Sequence, residues 1–115
     1  MRVLLIECDT GLRTMIERRL RDVGHHVAGA WDDDAAVRIL ERNPPPDVIV
    51  LDLSMPRMIG QFFRMRQLAE PRYARIPTLA IAPNRGVPSL DERPDLTRTF
   101  SVTALIAAVA NVATR

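Results

Sequence analysis

The chain has 115 residues, of which 47% are hydrophobic and 26% are charged, and its formal net charge is +2. This length and composition are typical of a soluble globular protein, and we expect residues 1–115 to form a single domain. One cysteine excludes an internal disulfide, and no apolar stretch is long enough for a signal peptide or a membrane span. The sequence therefore predicts a cytoplasmic protein that does not contact membranes. All sixteen cationic residues are arginines scattered among acids, so we expect no nucleic-acid surface.

Short apolar runs alternate with amphipathic stretches along the chain. The runs predict five strands, which read in order "VLLI" (3–6), "HHVAGA" (25–30), "VIVLDL" (48–53), "PTLAIA" (77–82) and "DLT" (95–97). Helical spacing of apolar residues predicts a helix after each of the first three strands and one at the C-terminal end. The acids Asp32, Asp33 and Asp34 are expected to cap the second helix, and Ser101 the last. This alternation favours a parallel α/β sheet with right-handed crossovers.

The third helix carries Phe62, Met65 and Leu68 at helical spacing, which predicts that these residues pack against the sheet. The surrounding arginines are expected to form a solvated surface; they are Arg64, Arg66, Arg72 and Arg75. Trp31, at the end of the second strand, has two interpretations, partly buried packing or a contact with a partner.

In parallel α/β sheets the functional crevice lies beyond the carboxyl ends of the strands. Glu7, Cys8 and Asp9 follow the first strand, and Asp52 ends the third. A carboxylate after an apolar run is costly unless it is paired or solvated, so Asp52 indicates a function.

With these residues in place, the chain resembles the receiver domain of bacterial two-component response regulators along essentially its full length. The motifs that carry the resemblance are "VLLIECDTGLR", "GHHVAGAWDDDAAVRILERNPPPDVIVLDLSMP", "MIG", "IPTLAIA" and "LTRTFSVTALI". The resemblance implies a doubly wound, flavodoxin-like fold with five strands in the order 2-1-3-4-5. It also implies that Asp52 accepts a phosphoryl group from a histidine kinase or a phosphotransfer protein.

The resemblance further implies a Mg²⁺ site. The ligands carried over by position are Glu7, Asp52 and the backbone carbonyl of Ser54. Asp9 has two interpretations, because it could turn towards the metal or cap the first helix. Hard oxygen ligands of this kind suit Mg²⁺.

Several positions depart from the family pattern. Cys8 replaces the second acid, and a thiol is a poor ligand for Mg²⁺. Ala82 stands where the family has a hydroxyl, Asp95 replaces an aromatic residue, and Arg98 replaces a lysine. The segment between the fourth and fifth strands is short, so the fourth helix of the family is expected to be shortened or missing. We therefore expect a degenerate switch whose Mg²⁺ binding is weak or absent.

Two functional hypotheses remain open from the sequence. In the first, Asp52 accepts phosphate despite the altered surroundings. In the second, the chain is a phosphorylation-independent pseudo-receiver that binds a protein partner or a second copy through the last helix and the fifth strand. A phosphatase of the aspartate-nucleophile type would need an acid at Ser54, and nucleotide binding would need a glycine-rich loop after the first strand, so no enzymatic activity is expected.

Overall fold

A five-stranded parallel sheet forms the centre of the computed structural model, which describes residues 1–81, 96–99 and 101–113. The strands are β1 (Arg2–Ile6), β2 (His26–Ala30), β3 (Val48–Asp52), β4 (Thr78–Ile81) and β5 (Leu96–Thr99). Their order across the sheet is β2-β1-β3-β4-β5, and every neighbouring pair is parallel. The predicted fold class and strand order are confirmed.

Helices connect the strands and cover both faces of the sheet. They are α1 (Thr10–Asp22), α2 (Asp33–Arg42), α3 (Ile59–Ala69), the short α4 (Pro71–Ala74) before β4, and α5 (Val102–Ala113). The predicted caps are present: Asp32 Oδ1 accepts a hydrogen bond from the Ala35 N–H at 2.7 Å, and Ser101 Oγ accepts one from Ala104 at 3.0 Å. The shortened helix expected between β4 and β5 lies outside the described residues. Within the described ranges, no helix combines the length and apolar character needed to cross a membrane.

Two apolar layers enclose the sheet. Side chains from one face of β1 and β3, including Leu4 and Leu51, pack against α2 and α3. Those from the opposite face, including Leu5 and Val50, pack against α1 and α5. Every residue of β3 is buried, as expected for the central strand of a sheet covered on both sides.

The register between β1 and β3 sets the geometry of the carboxyl edge. Val3 pairs with Val48, and the ladder continues to the pair of Ile6 and Leu51. Glu7 and Asp52 are the next residues along the two strands. Because neighbouring parallel strands run side by side, this register places the two carboxylates together at one edge of the sheet.

The packing face predicted for α3 is wrong. Phe62 and Met65 are 50% and 55% exposed, whereas Phe63 and Gln67 are buried. The prediction followed apolar residues alone, but the buried face of this helix includes polar side chains.

Arg64 is the largest of these buried polar side chains, which corrects the expectation that it lies on a solvated surface. It is 2% exposed. Its guanidinium donates to Gln67 Oε1 at 3.0 Å and to Thr78 Oγ1 at 3.1 Å. Gln67 Nε2 donates in turn to the carbonyl of Tyr73 at 3.1 Å. Hydrogen bonding of this kind is what allows polar groups to be buried between α3 and β4.

The connection from β3 to α3 contains two strained residues. Arg57 and Met58 have φ angles of 57° and 56°, in the left-handed region that disfavours residues with a Cβ atom. Gly60 follows them, and a Cβ atom at this position would collide with the backbone carbonyl of Asp52. The turn therefore brings the start of α3 directly against the end of β3.

We expect Arg57→Gly to increase the free energy of unfolding by up to ~1 kcal/mol, because glycine relieves the left-handed strain but loses more entropy on folding. Urea unfolding measures the difference. Arg75→Gly is the matched control, since Arg75 has a φ angle of −93° and its replacement should leave stability unchanged or lower it. A loss of stability in Arg57→Gly equal to that of the control would contradict the assignment of strain to Arg57.

Candidate functional site

Asp52 ends β3 and lies almost completely buried, with 4% of its surface exposed. Its carboxylate oxygen Oδ1 accepts two hydrogen bonds from Ser54, one from the backbone N–H at 2.7 Å and one from the hydroxyl at 2.6 Å. The first is an Asx turn, a local bond that fixes the direction of the carboxylate. One oxygen of Asp52 is therefore held by an exposed serine.

Glu7 follows β1 and is 1% exposed. Its backbone is fixed on both sides, since its N–H donates to the Ala30 carbonyl at 2.9 Å and its own carbonyl accepts from Arg13 Nη1 at 2.9 Å. Its side-chain Oε2 accepts a long bond of 3.3 Å from the Asp9 N–H. The buried Oε1 has no hydrogen-bond partner among the described residues. Burying a carboxylate oxygen without a partner is costly when the group is ionised. Glu7 is therefore stabilised by taking up a proton or by binding a cation.

The electrostatics of the pair favour a proton on Glu7. Burial, followed by the neighbouring carboxylate of Asp52, raises the pKa of Glu7 from 4.5 to about 8. The protonated form removes one of two negative charges that would otherwise repel each other at close range. At neutral pH the pair therefore carries less than its formal charge of −2.

Cys8 is partly buried and packs against the cluster that contains Leu4 and Phe63. Burial, and then the carboxylates of Glu7 and Asp52, raise the pKa of its thiol. Cys8 is therefore a neutral thiol at neutral pH, which is neither an effective nucleophile nor a ligand for a hard cation.

The remaining predicted site residues lie apart from this pair or beyond the described residues. Asp9 is exposed and caps α1, with its Oδ1 accepting from the Leu12 N–H at 2.7 Å, which is the second of its two predicted roles. The backbone of Arg98 pairs with Ala80 in the sheet, but its side chain is outside the described part of the chain. Ala82 and Asp95 also fall outside it. The structure therefore brings together Glu7, Cys8, Asp52 and Ser54.

The fit to Mg²⁺ is incomplete. The orphaned Oε1 of Glu7 and the carboxylate of Asp52 are suitable hard ligands. However, Asp52 Oδ1 already accepts a hydrogen bond from Ser54. Cys8, which stands between Glu7 and Asp9 in the sequence, offers a thiol instead of a carboxylate. Among the described residues, no group of three or more His, Cys, Asp or Glu side chains could hold a metal ion.

The hydrogen bond from the Ser54 hydroxyl to Asp52 was not predicted from the sequence, where only the backbone carbonyl of Ser54 was given a role. A signal was present in the sequence. Aspartate followed two residues later by serine is a common pattern for a local turn in which the carboxylate accepts from the second residue.

A family model described as the response regulator receiver domain matches residues 3–86. Among curated proteins, the chain is 41% identical over 58 residues to the transcriptional regulatory protein AfsQ1 of Streptomyces coelicolor, covering 50% of this chain and 25% of that protein. It is 34% identical over 82 residues to a protein-glutamate methylesterase/protein-glutamine glutaminase of Anaeromyxobacter dehalogenans, covering 70% of this chain and 22% of that protein. The chain thus spans about a quarter or less of the curated relatives that it matches.

Solved structures share the fold. The chemotaxis protein CheY4 of Vibrio cholerae aligns with a TM-score of 0.78 at 23% identity, covering 96% of this chain and 97% of that one. The receiver domain of the Francisella response regulator 1452 aligns with a TM-score of 0.77 at 21% identity, covering 99% and 97%. At this level of identity the likeness concerns the fold alone.

We expect Glu7 to make stability depend on pH. A folded-state pKa of about 8 against an ordinary value of 4.5 means that the folded protein binds the extra proton between these values. The free energy of unfolding should therefore fall as pH rises from about 4.5 to 8, by on the order of a few kcal/mol. Urea unfolding at several pH values, in a chelating buffer, measures this slope.

Glu7→Gln should flatten the slope, because the amide keeps the shape of the protonated acid and does not titrate. Glu41→Gln, at an exposed position on α2, is the matched control and should retain it. Equal slopes in the wild type and Glu7→Gln would contradict the protonation of Glu7.

Proposed function

The chain belongs to the response regulator receiver domain family of two-component signalling, and we propose that Asp52 is its phosphoryl acceptor. The observation that carries the proposal is the buried pair of carboxylates, Glu7 and Asp52, at the carboxyl edge of the sheet. A buried aspartate with an acidic neighbour has no packing purpose, because each carboxylate raises the cost of charging the other. Such pairs are typical of sites that perform chemistry.

The proposed reaction is a transfer from a phosphohistidine to Asp52. A carboxylate oxygen attacks phosphorus, the bond from phosphorus to the imidazole nitrogen breaks, and the departing imidazole takes up a proton. Ser54 holds Oδ1 through two hydrogen bonds, so we assign the attack to Oδ2. The partner is then a histidine kinase or a phosphotransfer protein.

We propose that this switch is degenerate. When bound, Mg²⁺ supplies the positive charge that offsets the approach of two anions. In this chain Glu7 and Asp52 would hold it with the carbonyl of Ser54, and the thiol of Cys8 adds no suitable ligand. Weak Mg²⁺ binding and slow phosphorylation follow. The proton on Glu7 replaces part of the positive charge that weakly bound Mg²⁺ does not supply, because it lowers the repulsion between the site and an incoming phosphoryl group.

The second candidate function is a phosphorylation-independent interaction module. It is favoured by the bond of 2.6 Å between Ser54 Oγ and Asp52 Oδ1, which occupies part of the acceptor without any ligand. A module of this kind would need only the fold and an exposed face. α5 offers one, because Thr103, Ala104 and Ala107 are exposed on it and the edge strand β5 precedes it in the chain.

Phosphorylation by a small donor separates the two candidates. Incubation with Mg²⁺ and acetyl phosphate or phosphoramidate should add one phosphoryl group, read by intact mass, and the adduct should disappear in Asp52→Ala. Asp47→Ala is the matched control, since Asp47 is an exposed acid just before β3 and its loss should leave the adduct in place. Absence of an adduct with either donor would reject the first candidate in favour of the interaction module.

We expect Cys8→Asp to bind Mg²⁺ at least about tenfold more tightly, because it replaces a neutral thiol by a hard oxygen ligand beside two existing carboxylates. Isothermal titration calorimetry with MgCl₂ measures the affinity. Cys8→Ser is the control of similar size, and it should remain close to the wild type. If Cys8→Asp bound no more tightly than Cys8→Ser, position 8 would not face the metal.

A further inference from the structure

Helix α2 and Trp31, the residue between β2 and the cap of α2, form an open groove. Its cavity volume is about 190 Å³, and its lining residues are Trp31, Ala35, Arg38, Ile39, Arg42 and Asn43. Trp31 directly precedes Asp32, the N-cap of α2. Ala35, Arg38, Ile39 and Arg42 recur along one side of the helix, and Asn43 follows its last turn. The groove is therefore a surface of one helix and the residue that leads into it.

The groove has an apolar floor. Ala35 is buried, Ile39 is half-buried, and the side of Trp31 borders them. Trp31 is 56% exposed, so its indole is partly buried, as its first interpretation expects, and more than half of it stays available for a contact with a partner. An exposed indole is unfavourable in water and is enriched at the centres of protein interfaces.

Two cations flank this floor. Arg38 and Arg42 are exposed and lie four residues apart, which places their Cβ atoms about 6 Å from each other on the same face of α2. Neither guanidinium makes an ion pair among the described residues. The nearby acids Asp33 and Asp34 are both bonded to Arg66 of α3, at 3.0 and 2.8 Å. The two charges are thus left to face solvent.

We propose that this groove docks an acidic amphipathic helix of a partner protein. Two acids four residues apart on such a helix have the same spacing as Arg38 and Arg42, and an apolar side chain between them would cover Ile39 and the indole of Trp31. Arginine and tryptophan together are the residue types that most often dominate the energy of interfaces. The proposal concerns a surface separate from the acceptor site and does not depend on phosphorylation.

A nucleic acid is the less suitable occupant. Asp32, Asp33 and Asp34 stand at the head of the groove, and Glu41 lies beside Arg42 on the same helix. The cations in the lining of the groove are Arg38 and Arg42, which match two acids of a short helix but not the continuous run of charges along a phosphate backbone.

The sole tryptophan of the chain lies in the groove, so its fluorescence reports binding directly. The probe is a synthetic helical peptide of about 15 residues with two glutamates four residues apart and a leucine between them on the same face. We expect a saturable change in Trp31 fluorescence. The same peptide with lysines in place of the glutamates should give none.

Charge reversal tests the assignment of the two arginines. The double variant Arg38→Glu/Arg42→Glu should bind the acidic peptide at least about tenfold more weakly and should gain binding of the lysine peptide. The matched control is Arg18→Glu/Arg75→Glu, which reverses two exposed arginines elsewhere and should bind as the wild type does. Urea unfolding verifies that each variant is folded.

Three outcomes would overturn the proposal. They are no saturable change in fluorescence with the acidic peptide, equal binding by the two double variants, and tighter binding of a single-stranded oligonucleotide than of the acidic peptide. A labelled peptide followed by anisotropy extends the test to Trp31→Ala, whose affinity should fall at least about tenfold if the indole covers the partner's apolar side chain.

Discussion

Two carboxylates buried next to each other, Glu7 and Asp52, are the constraint on which the functional part of this molecule depends. The register of β1 against β3 brings them together, and burial prevents water from screening their repulsion. Burial, and then the neighbouring carboxylate of Asp52, raises the pKa of Glu7 to about 8. A proton on Glu7 relieves the repulsion in the absence of a cation, so the pair favours a partly neutralised form at neutral pH.

The chemistry around this pair differs from what a strong metal site requires. Cys8 contributes a neutral thiol, Asp9 turns away to cap α1, and Ser54 bonds to Asp52. Asp9 caps a helix, Ser54 closes an Asx turn, and Cys8 packs against the apolar core. The carboxylate of Asp52 is therefore directed by hydrogen bonds from its own chain.

The parallel sheet was predictable from the sequence because β1, β3 and β4 are apolar runs, a pattern typical of buried parallel strands. The order of the strands came from the resemblance to receiver domains. The caps at Asp32 and Ser101 were also predictable, since they are local. The face of α3 was not, because Arg64 is buried through a bond to Thr78, fourteen residues away. The spacing of apolar residues along α3 cannot reveal a hydrogen bond from Arg64 to a residue of β4. At the site, the positions of Glu7 and Asp52 follow from strand ends. The Ser54 hydroxyl bond was missed, although an aspartate two residues before a serine favours a local turn of this kind.

The direct test of the central claim is the titration of the Glu7 carboxyl carbon by NMR, in the wild type and in Asp52→Asn. We predict a midpoint near pH 8 in the wild type and a lower midpoint in the variant, where burial remains but the neighbouring charge is gone. A midpoint at the ordinary value of 4.5 in the wild type would contradict the account, because it would show that the two carboxylates do not share a buried site.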